Sequence, residues 1–402
     1  MDPYLKKTMT LGYAGRRLEL RVAQDLFSSH AVDVGTRLLL RTLAGPEHGS
    51  HRLVLDLGCG YGPIGLGLKA AASHRTVHMV DRDALAIEYS QGNAALNRLE
   101  DIEVYGSLGY ADVRRSGFDL IASNIPAKAG TPVIARLLLD AAGLLAPAGL
   151  VAIVVIAPLQ GTVAEILEGS PAVEIVFRRA TASYAVFHYR FRDQGAPPAA
   201  PGGRSSGLEV YERQRLSLVH KGIRLRLQTA YGLPEFDSLS FTTELVRDTV
   251  LRMRGPKPRV HLVLHPGQGY LPSMLWAALK PDEIRLVDRD LLALRFSEAN
   301  ALTNGCPPDR LHARHRASLD QDWLQDAELV VGMLRPKEPP ESTLAIARQL
   351  VSGAPRGGRI VLGASSTVIT RCLTALDAET LPFRTVDRKR NKGFSAVVLE
   401  RR

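Results

Sequence analysis

Cysteine is scarce in this 402-residue chain: three residues, Cys59, Cys306 and Cys372, lie too far apart for a metal-ligand spacing or an obvious pairing. That excludes a disulfide-stapled scaffold and a structural zinc site, and it predicts a reducing, cytoplasmic setting with no metal. Long apolar runs are also missing. The longest, Leu150 to Ala157, is too short to span a bilayer and reads as a buried strand. The first residues, Met-Asp-Pro-Tyr-Leu-Lys-Lys, lack the apolar core of a signal peptide, so no membrane association is expected. Hydrophobic content of 45% and charged content of 23% are ordinary for a soluble globular protein, and the length predicts two or three domains.

What is present is a duplication. Leu53-Val-Leu-Asp-Leu-Gly-Cys-Gly-Tyr-Gly-Pro63 is answered about 209 positions later by Leu262-Val-Leu-His-Pro-Gly-Gln-Gly-Tyr-Leu-Pro272. Val80-Asp-Arg-Asp83 is likewise answered by Val287-Asp-Arg-Asp290, each opening a helix-like run that ends in Asn97 or Asn304. An apolar strand, a glycine turn, a helix and a second strand ending in an acid make a nucleotide-cofactor half-fold.

The pattern around these motifs predicts the same order of elements twice. In the first half this is a β-rich lead-in (11–22), a helix (34–43), strand 53–57, helix 63–71, strand 76–80, helix 84–97, and strands 102–105 and 118–123. Helix 132–144, strand 149–156, helix 160–168 and a closing strand pair (173–178 and 184–191) complete it. The second half repeats the order from a lead-in at 219–229 and a helix at 242–253 to a strand pair at 381–386 and 394–399. The predicted fold class is α/β: two tandem doubly wound, Rossmann-like domains, each a mostly parallel sheet with a terminal antiparallel pair. The predicted boundaries are 1–192 and 208–402, joined by a Pro/Gly-rich linker over 193–207.

Charge is unevenly divided. The chain carries +10 overall; residues 1–192 hold 20 Lys/Arg against 18 Asp/Glu, leaving 31 against 23 for the remainder. Arg213, Arg215, Lys221, Arg224 and Arg226 form one basic cluster there, and Arg388, Lys389, Arg390 and Lys392 another. A polyanionic partner, most simply nucleic acid, would account for the excess; an arginine-rich solvated face is the alternative.

The first glycine turn can be read in two frames. Gly60-x-Gly62-x-x-Gly65 fits a dinucleotide pattern, which is a weak signal. The other frame, Asp56-x-Gly58-x-Gly60, puts a carboxylate at the strand tip. It would repel a pyrophosphate at the helix N-terminus and attract a cation such as the ammonium of S-adenosylmethionine (SAM). Gly58 and Gly60 would let the backbone approach that cofactor. Asp81, about 25 residues on, ends the second strand, where a carboxylate can accept ribose hydroxyls. Asp56, Gly58, Gly60 and Asp81 are therefore the candidate cofactor-binding residues. Arg82 and Asp83 read as surface and helix-start groups.

The candidate catalytic residues follow the fourth strand: Asn124-Ile125-Pro126-Ala127. An exocyclic base amine is a poor nucleophile because its lone pair is delocalised into the ring. Asn124 Oδ1 and the Ile125 carbonyl could accept its two N–H groups and hold the lone pair toward a methyl donor, and Pro126 would fix the turn without a competing donor. A plain Asn-x-Pro turn is the alternative.

These residues carry a family resemblance. Leu26-Phe-Ser-Ser-His-Ala-Val-Asp-Val-Gly-Thr-Arg-Leu-Leu-Leu40, Val54-Leu-Asp-Leu-Gly-Cys-Gly60, Asp81 and Phe118-Asp-Leu-Ile-Ala-Ser-Asn124 resemble the methyltransferase small domain of ribosomal RNA guanine 2-amino methyltransferases, over most of residues 18–192. The resemblance implies a SAM-dependent enzyme acting on ribosomal RNA, built from one catalytic and one degenerate domain, with the Phe27–Asp33 segment covering the site. Two departures stand out. The family places its degenerate copy first, whereas here the intact copy leads. Its acceptor motif is Asn-Pro-Pro-aromatic, whereas this chain has Asn124-Ile-Pro-Ala127, so either another ring, Phe27 or Tyr61, stacks on the base or the substrate differs. Asn-Ile-Pro also resembles the motif of adenine 6-amino dimethylases.

In the second copy Asp56 becomes His265, Leu57 becomes Pro266 and Gly62 becomes Leu271, and Asn124 has no counterpart in Gly332-Met-Leu-Arg335. That copy is expected to be inactive, serving RNA docking or covering the first, with His265 a turn residue. The reaction expected of the whole is methyl transfer to an exocyclic amine of RNA, most simply ribosomal RNA guanine. The alternatives are a methyltransferase of adenine, protein glutamine or a small molecule, or a non-catalytic RNA-binding assembly factor.

Overall fold

A computed structural model describes residues 2–192, 207–335 and 338–402. The predicted linker 193–207 lies outside them, apart from Gly207. The chain divides into two compact units, Leu5–Tyr211 and Met1–Tyr4 with Glu212–Arg402.

The first unit opens with an antiparallel hairpin, β1 (Leu5–Tyr13) and β2 (Arg16–Ala23), then α1 (Val34–Thr42), β3 (Leu53–Leu57), α2 (Pro63–Ala71), β4 (Thr76–Asp81), α3 (Ala84–Leu96) and β5 (Ile102–Gly106). It continues with β6 (Phe118–Asn124), α4 (Thr131–Leu139), β7 (Leu145–Ile156), α5 (Gln160–Glu168), β8 (Val173–Ala180) and β9 (Tyr184–Phe191). Its seven-stranded sheet runs β5-β4-β3-β6-β7-β9-β8. β9 pairs antiparallel with both β7 and β8, the latter being the predicted closing pair, and the other pairings are parallel. Strand order reverses between β3 and β6, and a crevice opens beyond the carboxyl ends of strands at such a reversal. The register sets Asp56 beside Ala122, two residues before Asn124, so the glycine turn and the acceptor loop leave the sheet side by side.

The second unit repeats this. Its elements are β10 (Glu212–His220), β11 (Ile223–Ala230), α6 (Phe241–Leu251), β12 (Val260–Leu264), α7 (Tyr270–Leu279), β13 (Glu283–Asp288), α8 (Leu291–Thr303), β14 (Leu311–His315) and α9 (Gln321–Leu324). Then come β15 (Leu329–Met333), α10 (Pro340–Gly353), β16 (Arg359–Ser365), α11 (Ser366–Ala378), β17 (Phe383–Asn391) and β18 (Phe394–Arg401), with sheet order β14-β13-β12-β15-β16-β18-β17.

The cores explain the sequence pattern. Apolar runs such as Leu53–Leu57 are buried on both faces, as parallel strands covered by helices must be. Leu55, Phe118, Ile121, Ile153, Phe187 and Tyr189 gather in one cluster of the first unit. The recurring Asn residues fasten each hairpin to its helix. Asn93 accepts from Arg21 N–H at 2.7 Å and Asn97 from Glu19 N–H at 2.9 Å; Asn300 and Asn304 accept from Gln228 and Arg226 at 2.8 and 3.0 Å. Each donates one amide N–H back to the same strand.

Two predicted elements shift. The helix expected over 132–144 ends at Leu139 and tightens into a single 3-10 stretch, Asp140–Leu144. Strand β7 begins at Leu145 rather than 149, with Ala148 in the left-handed region at φ 61°. Pro147 and Gly149 hide that start, because both normally mark turns.

Candidate active site

Each chemical group of the crevice is held by a specific backbone device. In the glycine turn after β3, Gly58 and Gly60 have φ of 78° and 57°, a region where a side chain is strained. A Cβ at either position would meet nothing within 4 Å, so both face open space. Gly65 is different: a Cβ there would come within 2.8 Å of Met79 and 3.0 Å of Asp56. Its absence lets α2 sit close enough for Gly65 N–H to donate to Asp56 Oδ2 at 2.7 Å.

Asp56 is fully buried, and its Oδ1 has no hydrogen-bond partner among the described residues. Burial pushes this carboxyl up to about 7; the Gly65 N–H opposes the rise and the Asp81 charge adds to it. Asp81 is fixed at the end of β4. Its Oδ2 accepts from Gly60 N–H and its Oδ1 from Asp83 N–H, both at 2.9 Å. Burial, followed by the charge of Asp83, raises Asp81 to about 6. Asp83 caps α3 by accepting from Leu85 N–H, as a helix-start residue should. The arrangement is an anionic, partly dehydrated crevice with an unsatisfied carboxylate oxygen at its floor. A cationic ligand with a vicinal diol fits that set of acceptors; a pyrophosphate does not.

Beside it, Asn124 closes β6. Its amide group donates to Asp33 Oδ2 and to Thr36 Oγ1, both at 3.0 Å. A carboxylate only accepts, so the amide orientation is determined and Oδ1 is left as the acceptor. Asp33 is held in turn. It accepts from Thr36 N–H at 2.9 Å as the N-cap of α1, and Tyr184 O–H donates to its Oδ1 at 2.9 Å. Gly35 permits that approach, since a Cβ there would lie 2.6 Å from the Tyr184 ring. Ser123 O–H donates to Leu57 C=O at 2.7 Å, tying the acceptor strand to the cofactor strand. Ile125 N–H is used by Val154 C=O at 3.0 Å, and Pro126 C=O accepts from Ala129 N–H at 3.2 Å, which fixes the turn.

The crevice thus brings together Asp56, Gly58, Gly60 and Asp81 on one side and Asn124 with Pro126 on the other. Sequence reading missed the roles of Thr36 and Tyr184 and of Asp33 as an anchor for Asn124. Asp33 had a visible signal as a helix cap before Val-Gly-Thr; Tyr184 had none. One expectation is corrected. Tyr61 is only 2% exposed, packed under the glycine turn, and cannot stack on an incoming base, whereas Phe27 is 70% exposed.

Comparison with known proteins bears on this geometry. Residues 17–186 match the methyltransferase small domain. Among curated relatives, a Bacillus subtilis protein, uncharacterized protein YbxB, is 37% identical over 130 residues, 32% of this chain and 64% of that protein. The ribosomal RNA small subunit methyltransferase C of Pasteurella multocida is 41% identical over 128 residues, 31% of this chain and 38% of the enzyme. The chain therefore spans less than two thirds of either relative. A solved T. thermophilus 16S rRNA N2 guanine methyltransferase, RsmC, in complex with AdoMet and guanosine, superposes with a TM-score of 0.69 at 17% identity. It covers 98% of both chains, so the likeness in fold extends over both units.

The second unit repeats the frame of the first but not its chemical groups. His265, in the place of Asp56, has φ 53°, and its Nδ1 lies 2.8 Å from Met333 C=O. Burial and the Arg335 charge hold its ring well below the usual histidine range, so it is a neutral turn residue. Arg335, from the loop that replaces Asn124-Ile-Pro, pairs directly with buried Asp288, the counterpart of Asp81. A guanidinium of the protein's own already neutralises that acid. Among the described residues, no helix of either unit is long and apolar enough to cross a membrane.

Proposed function

We propose that the first unit binds SAM and transfers its methyl group to an exocyclic amine of an RNA base, most simply a guanine of ribosomal RNA. The observation that carries this reading is the pairing of two unsatisfied acceptors at one sheet edge. Asp56 Oδ1 is buried without a donor, and Asn124 has both amide hydrogens committed elsewhere. The first suits the cofactor's ammonium and the second a base N–H. The family match and the names of the relatives point the same way.

SAM would be held by Asp56, Asp81 and the open faces of Gly58 and Gly60, and it supplies a methyl group activated by the sulfonium to which it is bound. The chain's own residues do the rest by positioning. Asn124 Oδ1 and the Ile125 carbonyl accept the two amine hydrogens, so the nitrogen lone pair is directed out of the base plane. Asp33, Thr36 and Tyr184 keep the Asn124 amide from rotating. Transfer forms the nitrogen–carbon bond, breaks the sulfur–carbon bond and leaves a proton on the amine, which is lost to solvent. In this reading Pro126 is a turn-former, and the second unit binds no SAM because Arg335 occupies its acid.

The test is incubation of the protein with tritiated SAM and ribosomal RNA that lacks methylation, followed by nucleoside analysis. Labelled N2-methylguanosine supports the reading. Label in N6-methyladenosine moves the substrate to adenine, and label in protein alone, or none, overturns it.

A further inference from the structure

Among the described residues, three of the five exposed Phe and Tyr side chains, Tyr231, Phe236 and Phe241, fall within an eleven-residue stretch of the second unit; the others are Phe27 and Phe177. The stretch leads from β11 to α6, and Gln268 of the second glycine turn bonds to its Ala230 and Pro234. The rings are interleaved with cations. The Tyr231 and Phe236 ring centroids lie 6.4 Å apart, and the Arg213 guanidinium sits 4.9 Å from the first and 5.9 Å from the second. Lys392, in the β17–β18 turn, places its ammonium 4.3 Å from the Phe241 ring. Two acids bond into the surface: Asp237 accepts from Arg213 at 3.4 Å and Gln214 at 3.0 Å, and Glu212 accepts from Arg215 at 2.8 Å. The outward face of the β10–β11 hairpin continues from this cluster with exposed Arg215, Arg224 and Arg226.

Among the described residues of the first unit, the equivalent loop carries one exposed ring, Phe27, in place of three. In the equivalent hairpin and loop, matched through the Asn93/Asn300 and Asn97/Asn304 bonds, Tyr231, Phe236 and Phe241 correspond to Gln24, Ser29 and Val34. Exposed rings cost hydration and return nothing to the core, so three of them gathered among cations on the copy with the basic excess call for a ligand with flat faces and negative charge. Unpaired nucleotides have both, and rings plus a cationic track are how single strands are held without regard to sequence. A duplex hides its base faces and would not use them.

We propose that Tyr231, Phe236 and Phe241, with Arg213 and Lys392, form a stacking platform for unpaired RNA bases, and that Arg215, Arg224 and Arg226 track the adjoining backbone. This deepens the methyltransferase reading, on which it rests for the identity of RNA as substrate. The experiment is fluorescence anisotropy of the full chain with a fluorescein-labelled oligouridylate of about 12 nucleotides, a length within the usual single-strand site size. Replacing Tyr231, Phe236 or Phe241 singly by Leu, which keeps the apolar bulk but not the ring, should weaken binding by about tenfold each, with the salt dependence unchanged. Arg224→Gln with Arg226→Gln should instead flatten the salt dependence, and Phe177→Leu should change nothing. Wild-type affinity in the triple Leu variant, equal competition by blunt duplex RNA, or no oligonucleotide binding at all overturns the platform. SAM titration of the same variants should be unaltered. Ring-dependent binding without methyl transfer to any RNA would sink the enzymatic reading alone; methyl transfer with ring-independent binding would sink the platform alone.

Discussion

Asp56→Asn should separate cofactor binding from stability in opposite directions. The amide keeps the acceptor for Gly65 N–H but turns an NH2 toward the space that Asp56 Oδ1 leaves unfilled. A unit charge about 4 Å from a cofactor ammonium is worth about 4 kcal/mol at an effective dielectric of about 20. Part of that is offset near neutrality by the work of removing the Asp56 proton, so a loss of about 3 kcal/mol, or roughly a hundredfold in SAM affinity, is expected at pH 8. The folded protein, in contrast, gains. The carboxyl is raised from 3.8 to about 7, so its contribution to stability is complete below about pH 4 and is lost as pH rises through about 7. The cost above pH 7 is on the order of 4 kcal/mol, and the amide, which cannot ionise, escapes it. SAM titration by calorimetry at pH 8 and thermal melts at pH 4 and pH 8 read both effects. Weaker binding with a melting temperature several degrees higher at pH 8, and little difference in the melt near pH 4, is expected. Unchanged SAM affinity at pH 8, or a lower melting temperature there than in the unaltered protein, refutes the role given to this carboxylate.

The same ionisation gives the unaltered protein a pH signature: SAM affinity should fall about tenfold per unit as pH drops below about 7, while Asp56→Asn stays flat, as calorimetry across pH 5–8 would read. Asn124→Ala should lower methyl transfer at least a hundredfold with SAM affinity preserved, because the amine loses its acceptor while the cofactor crevice is untouched; a single-turnover assay checks it. Tyr184→Phe removes one charge-assisted hydrogen bond to Asp33, worth about 1–2 kcal/mol, and should cut kcat about tenfold at unchanged SAM affinity, with Asp33→Asn more severe. Arg335→Gln leaves buried Asp288 without its counter-charge and should destabilise the second unit by about 3 kcal/mol in urea unfolding without creating a second SAM site.

The features legible in the sequence are those that local backbone chemistry dictates. Glycines at 58, 60 and 62 stand where φ is positive, Asp81 and Asp288 end strands, and Asn97 and Asn304 end helices, so both copies of the frame could be placed from short windows. The arrangement around Asn124 was not legible, because its partners lie 91 and 88 positions away in sequence and Tyr184 lies 151 positions from Asp33. Nothing local distinguishes a capping Asp33 from one that also anchors an amide. Tyr61 failed as a stacking candidate for a similar reason: an aromatic in a glycine turn reads as exposed, but the turn folds over it. Arg335 stands in a stretch with no motif at all, and its pairing with Asp288 needs β13 and β15 to end on the same sheet edge. The departure at Ala127 was plain in the sequence, but the exposed ring of Phe27 emerged only with the fold.

The most direct measurement is the stoichiometry of SAM binding to the full chain by calorimetry at pH 8. One equivalent per chain, abolished when Asp56 and Asp81 are both replaced by Ala and retained when Asp288 is replaced, is the outcome expected of one intact and one altered copy. Two equivalents, or none, contradict it.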